Sequence, residues 1–389
     1  MSSVWVWTYP WTLAAEGMET ACGELSAAGI DGLTVASQYH SVQTLQPRTP
    51  ETLFQSYPGG CYFSPDEAAF TDTPIKPPTN AIEGYDDPLR AVQTAADREG
   101  LSTAAWIVCL HNSRLGAEYP AYRIESAFGD AHTHAFCPSH SAVKSYYAAV
   151  VETLAGYGVD RIDLEWIGFG NAFHDHGWRF GHRKQQAVTD YSTVILLSQC
   201  FCDGCQAAAD RRGFDLDRAR ERVKALCRDA LQGPDRSLSD MDTLRGAEPA
   251  IDRLLAFRAE IVEEFLDTLV GASGSTPVNY YLTEDLGKSP LSIDAAGVEF
   301  ETLESKLDRV TVLCYTSDPL EAKQRVRVLD RRLSIPVDGA LTLDPDIIDS
   351  MTGFQRLARS LRTVAADIHV FNHGLMTADH LDWLDEAVG

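Results

Sequence analysis

Eight short runs rich in β-branched and aromatic residues alternate with helix-like stretches along the 389 residues. That alternation signals parallel strands joined by crossover helices. The runs are Val4–Thr8, 32–37, 102–110, 160–166, Val278–Leu282, 310–315, 333–341 and 368–372. Helices are expected near 11–28, 142–157 and Ala378–Val388, with Asp87 before Pro88 and Asp318 before Pro319 as cap signals. Eight such units make a (β/α)8 TIM barrel, here one domain spanning 1–389. The fold typically needs about 250 residues, so the excess is assigned to long insertions after strands 2 and 4. The first is a loop rich in Pro and aromatics over about 40–85, and the second a helical insertion over 168–276. A doubly wound sheet is the alternative, but Tyr9-Pro10-Trp11 stands where its Gly-rich phosphate turn should follow strand one.

With 44% hydrophobic and 23% charged residues the chain has an ordinary globular composition. Its formal charge of −23 repels phosphate backbones and anionic membrane surfaces, so neither nucleic acid nor membrane is an expected partner. No apolar stretch approaches the roughly 20 residues of a spanning helix. The amino terminus carries no basic leader, and a cytoplasmic location is expected. Nine cysteines, several of them single in apolar surroundings (Cys22, Cys109, Cys314), fit reduced core thiols. Self-association into a homo-oligomer stays open.

In a barrel of this kind the active site forms at the C-terminal strand ends. Strand four, Arg161-Ile162-Asp163-Leu164-Glu165-Trp166, is the most informative. Its period of two puts Asp163 and Glu165 on one face and Ile162 and Leu164 on the other. The helix-facing side must be apolar, so both acids face the barrel axis, where a buried charge is costly unless paired or used. Asp163 either forms a salt bridge inside the barrel or joins the chemistry; Glu165, nearer the strand end, is the better catalytic candidate. Their Cα atoms lie about 6.5–7 Å apart along a strand, so even these two make a conceivable pair.

Other strand ends add Trp7 and Tyr9, Gln38 and His40, His111 and Asn112, Asn279 and Tyr281, Tyr315, Asp338, and Asn372 with His373. Aromatic faces suit the apolar side of a pyranose and the polar groups suit its hydroxyls. After strand four, His174, His176 and His182 could bind substrate or a divalent metal such as zinc or manganese, although their spacing is not the helical His-Glu-x-x-His pattern. Cys200, Cys202 and Cys205 are close enough in sequence to share a structural zinc, with Cys227 or another cysteine as fourth ligand. Reduced packing at a helix start is the alternative.

The central part of the chain resembles a group of TIM-barrel proteins described as hypothetical glycosyl hydrolases. The resemblance is carried by Cys137-Pro138-Ser139, by 159–165, by His176-Gly177 with His182, and by 197–205, about a quarter of the chain. It implies a carbohydrate-active barrel with acid catalysis from strand four. By analogy with retaining barrels whose nucleophile lies on strand seven, it points to Glu165 and Asp338 as the acid pair. Here Pro336-Val337-Asp338-Gly339 offers Asp and no Glu.

Three functional readings follow. The first is a glycoside hydrolase that needs no cofactor, acting on a small carbohydrate or glycoside through two carboxyl groups. The second is a metal-dependent sugar isomerase, epimerase or lyase using Glu165 with His174, His176 or His182. The third is a non-catalytic sugar-binding barrel.

Overall fold

The computed structural model describes residues 2–49, 53–169, 187, 190–283 and 293–388. Eight parallel strands close on themselves: β1 (Val4–Thr8), β2 (Gly32–Tyr39), β3 (Ser102–Val108), β4 (Arg161–Glu165), β5 (Val278–Leu282), β6 (Arg309–Leu313), β7 (Val337–Thr342) and β8 (Ile368–Phe371). Closure comes from β1, which pairs with both β2 and β8. A helix lies between each pair of successive strands and another follows β8. The fold is the expected (β/α)8 TIM barrel.

The outward residues of each strand are apolar, for example Ile162 and Leu164 on β4 and Val310 and Val312 on β6, and they form the main core beneath the helices. Asp87 and Asp318 cap the helices Pro88–Arg98 and Pro319–Asp330, accepting from the backbone of Arg90 and Leu320. Three local features differ from the sequence reading. The first helical stretch is two helices, Pro10–Glu16 and Met18–Ala27, broken at Gly17, whose φ of 85° favours glycine. β7 starts at Val337 because Pro336 has no N–H to give a ladder. An excursion also follows β3, holding the helix Ser113–Glu118 and the hairpin Arg123–Glu125/Ala131–Phe136. Its strands are short and polar, with no apolar alternation to announce them.

After β2, the hairpin Val42–Leu45/Phe54–Tyr57 and a short antiparallel strand, Gly60–Cys61, sit near the strand end. After β4 come the helices Tyr191–Ser198, Asp203–Arg212, Leu216–Ala230 and Met241–Ala247. The long helix Pro249–Ser273 then packs beside Ser141–Gly156 on the barrel wall. Among the described residues no helix is long and apolar enough to cross a membrane.

The barrel interior is stratified, and this positions the site. Its lower half is ionic and polar: Arg161, Asp163, Thr34, Asn279, Thr311, Arg309, Asp338 and His369. Above it lies an apolar and aromatic layer of Trp7, Trp106, Tyr281 and Ala340. Glu165, Leu313 and Phe371 point into the uppermost level, each only half-buried.

Candidate active site at the barrel mouth

Glu165 ends β4 with its carboxylate accepting from the Trp106 indole N–H at 2.8 Å. Register explains the contact, since Trp106 is two residues before Val108, the β3 partner of Glu165, and faces inward like it. Immediately after Glu165 the chain turns through Trp166 at φ 62°, the one non-glycine residue with positive φ among those described. Such backbone costs about 1–3 kcal/mol and clusters at functional sites. The turn is held by β3: the Cys109 N–H donates to the Glu165 carbonyl at 2.8 Å and the Leu110 N–H to the Trp166 carbonyl at 3.1 Å.

Three tyrosines from other strand ends face this acid. The Tyr9 and Tyr39 hydroxyls lie 3.4 Å apart, and Tyr315 sits half-buried against Phe371 with ring centroids 6.4 Å apart. Burial pushes Tyr9 up to about 12; the Tyr39 hydrogen bond opposes this and the Glu165 charge adds to it. Tyr39 and Tyr315 are held well above the ordinary tyrosine range, by burial first and by Glu165 and the neighbouring tyrosines next. All three are therefore neutral hydroxyls near neutral pH. A stack of rings continues outward, Tyr9 on Trp11 at 4.4 Å and Trp11 on Tyr57 at 4.3 Å.

A row of imidazoles borders the same mouth. His40 stacks on Tyr39 and on His111, which in turn meets His134 and the Trp166 ring at 5.6 and 6.1 Å. His134 and His132 share one face of the hairpin after β3, and the Asn112 N–H donates to the His134 carbonyl at 2.7 Å, which docks that hairpin on the strand end.

Several residues expected at the site are engaged by the fold instead. Asp163 is fully buried and doubly bonded to Arg161, at 2.5 and 3.0 Å, and also accepts from Thr34 at 3.3 Å and from the Tyr281 hydroxyl. Burial works to raise its pKa, but Arg161 outweighs that and holds the carboxyl below the usual range. Asp338 is the second residue of β7, in the lower half, between Arg309 at 3.1 Å and His369 at 3.2 Å. It does not approach Glu165 as a strand-end partner would, because the strand continues four residues beyond it. Trp7 is packed under the mouth against Tyr281 at 4.9 Å. Asn279 is closed on Thr311, its amide donating at 3.0 Å.

Gln38 follows a register shift in β2 and turns outward, accepting from Tyr146 at 3.1 Å. Asn112 caps Ser113–Glu118 and Asn372 caps the turn His373–Leu375. His373 is buried between Thr8 at 3.1 Å and Arg48 at 2.7 Å. The Nε2 that faces Arg48 also lies 3.4 Å from the Glu16 carboxylate, and burial pulls the imidazole pKa down against the opposing pull of Glu16. His174, His176 and His182 lie outside the described residues.

Cysteine chemistry gathers elsewhere. Cys200, Cys202 and Cys205 meet Cys137, not Cys227, and the four Sγ atoms lie within 4.8 Å of one another, all buried. Four thiols this close can hold a metal ion. Cys137 closes the hairpin after β3, while the other three open Asp203–Arg212, so the cluster staples the region after β4 to the hairpin that carries His132 and His134. Gly204 is required there, since a Cβ would come within 2.7 Å of the His140 ring.

Sequence reasoning missed Trp106, His132 and His134 as neighbours of the mouth. The inward period of β3, Ala104-Trp106-Val108, was the signal available for Trp106.

No protein-family model and no curated protein sequence matches the chain. Solved structures do resemble it. The catalytic domain of a β-amylase from Paenibacillus polymyxa matches with a TM-score of 0.54 at 13% identity, over 99% of this chain and 97% of that one. α-L-Fucosidase isoenzyme 2 from Paenibacillus thiaminolyticus gives 0.59 at 14% identity, over 100% of this chain and 49% of its own. A polyextremophilic β-galactosidase from the haloarchaeon Halorubrum lacusprofundi gives 0.57 at 15% identity, over 99% and 57%. The chain thus spans about half the length of the fucosidase and somewhat more of the galactosidase. At these identities the likeness establishes the shared (β/α)8 fold.

Proposed function

We propose that the protein is a glycoside hydrolase-like enzyme in which Glu165 transfers a proton to or from a glycosidic oxygen. The observation that carries this reading is the contrast in engagement among the strand acids. Glu165 alone of the three expected carboxylates is half-buried at the mouth, where it accepts from the Trp106 indole N–H, whereas Asp163 and Asp338 are fully buried against Arg161 and Arg309. A carboxyl group among aromatic rings is the setting from which glycosidase acids act. Tyr9, Tyr39 and Tyr315 offer neutral hydroxyls for sugar oxygens, and His40 and His111 extend the polar rim. The named activities of the β-amylase, fucosidase and β-galactosidase that share the fold support a carbohydrate substrate. Asp163 and Asp338 are assigned to the barrel's structure and not to the reaction.

The test is hydrolysis of a panel of aryl and alkyl glycosides by wild type and Glu165→Gln. Release of sugar by the wild type and its loss in the variant, with unchanged thermal unfolding, is expected. Equal turnover by both on any hydrolysed glycoside would remove Glu165 from the chemistry.

The four-cysteine cluster supports a second assignment, a structural zinc held by Cys137, Cys200, Cys202 and Cys205. Four sulfur donors in a buried, closed set suit zinc, which then contributes folding energy rather than a reaction step. Metal analysis of the purified chain, with Cys137→Ser as comparison, checks it: one zinc per chain is expected in the wild type and a loss in the variant.

A further inference from the structure

Arg258 is fully buried, among the largest such side chains of the described residues, and sits on Pro249–Ser273, facing the cysteine cluster. Its guanidinium donates to the Cys205 Sγ at 3.2 Å, to Gln199 Oε1 at 3.3 Å and to the Cys200 carbonyl. The rings of Phe169, Phe257 and Phe201 cover it, with centroids at 4.6, 5.1 and 5.6 Å. Among the described residues no carboxylate pairs with it. Ring faces and neutral oxygens stabilise a cation but do not neutralise it, and a buried charge without a counter-charge is strongly disfavoured. Among the described residues, the neighbours that can supply negative charge are the cysteines, which are thiolates when they ligate a metal. Four thiolates around a divalent ion leave a net charge of −2, which the Arg258 guanidinium offsets on the Cys205 side while His140 stands 3.4 Å from Cys202 Sγ on another.

We infer that Arg258 is the counter-charge and positioning residue of the four-cysteine metal centre, fixing Cys205 through its guanidinium and coupling the barrel-wall helix to the metal. This inference rests on the zinc assignment above.

The experiment compares wild type, Arg258→Met, Arg258→Lys and Arg253→Met, an exposed control on the same helix. Zinc per chain and the rate of zinc transfer to a colorimetric chelator are measured, together with the thiolate-to-metal absorption of the cobalt(II)-substituted protein. Outer-shell partners of metal ligands typically matter by about 10–100-fold in affinity. Arg258→Met is therefore expected to release zinc at least about tenfold faster and to shift the cobalt band, while Arg253→Met behaves as wild type. Arg258→Lys keeps the charge but loses the fork, and is expected to fall between, about two- to fivefold faster than wild type. Should Arg258→Met not accumulate as folded protein, Arg258→Lys decides alone. A wild-type release rate with an unshifted cobalt band in the substituted protein overturns the inference. A wild type that binds no zinc overturns the zinc assignment itself, and with it this inference.

Discussion

Asp163 and Glu165 leave β4 on the same side, two residues apart, yet they occupy different electrostatic regions of one barrel. Asp163 lies in the lower interior, where Arg161 grips both its oxygens and Tyr281 and Thr34 add hydrogen bonds. Asp338 on β7 repeats the arrangement with Arg309 and His369. Trp5 stands between these networks, 4.2 Å from the Arg161 guanidinium and stacked at 6.3 Å on His369. One aromatic layer higher, Glu165 has a neutral donor, three neutral tyrosines and a half-open position. Asp163 is committed to a fixed counter-charge inside the barrel, whereas Glu165 stands half-buried at the mouth, the level that a substrate would reach. The layer of Trp7, Trp106 and Tyr281 separates the two regions.

The comparison is broken most severely by removing the lower charge. Asp163→Asn strands Arg161 in the barrel and should cost about 3–5 kcal/mol of stability, read as the shift in urea unfolding. Asp338→Asn should cost less, because Arg309 keeps Asp367 at 2.8 Å. Glu165→Gln keeps an oxygen that can accept from the Trp106 indole and should cost clearly less than Asp163→Asn. Equal losses for Asp163 and Glu165 would erase the distinction between the regions.

A smaller effect sharpens the upper region. Trp106→Phe keeps the ring and deletes the N–H that orients Glu165, so turnover on a hydrolysed glycoside should fall about 10- to 100-fold, the scale of a misplaced catalytic group, with the unfolding midpoint nearly unchanged. Unaltered kinetics in that variant would show that the indole does not orient the acid.

The smallest expected effect lies in the pH dependence. Asp163 is held below the usual carboxyl range in the fold, so its contribution to stability is complete above the unfolded-state pKa of about 3.9 and is lost as pH falls through the lower folded value. The stability gap between wild type and Asp163→Asn should therefore be constant from neutral pH down to about 5 and narrow below about 4. A gap that stays constant to pH 3 would contradict the ion-pair account.

Much of the fold was legible because its signals are local. Apolar outward faces at period two, such as Ile162 and Leu164, and caps such as Asp87-Pro88 specify strands and helices without reference to distant residues. The hairpin 123–136 was not, since His132, Thr133 and His134 carry no apolar pattern. For the site, the two acids of β4 were legible as inward-facing, but their different fates depended on Arg161, which precedes Asp163 on the same face, and on Trp106 from the neighbouring strand. Gln38 was misplaced by a register shift, which a period-two reading cannot detect. Asn112, Asn279 and Asn372 look alike in sequence as strand-end amides, yet capping and a Thr311 partner consume them. The fourth member of the cysteine cluster, Cys137, is more than sixty residues from the other three, a grouping that only the tertiary fold reveals.

The central claim, that Glu165 delivers the proton, is tested most directly by leaving-group dependence. Rates for wild type and Glu165→Gln are compared on two glycosides of the same sugar, one with a nitrophenolate leaving group that departs without a proton and one with an alkoxide that cannot. The account predicts a loss of about 10²–10⁴-fold on the alkyl glycoside and a much smaller loss on the nitrophenyl one. Equal losses on both, or activity within about threefold of wild type on the alkyl glycoside, would contradict it.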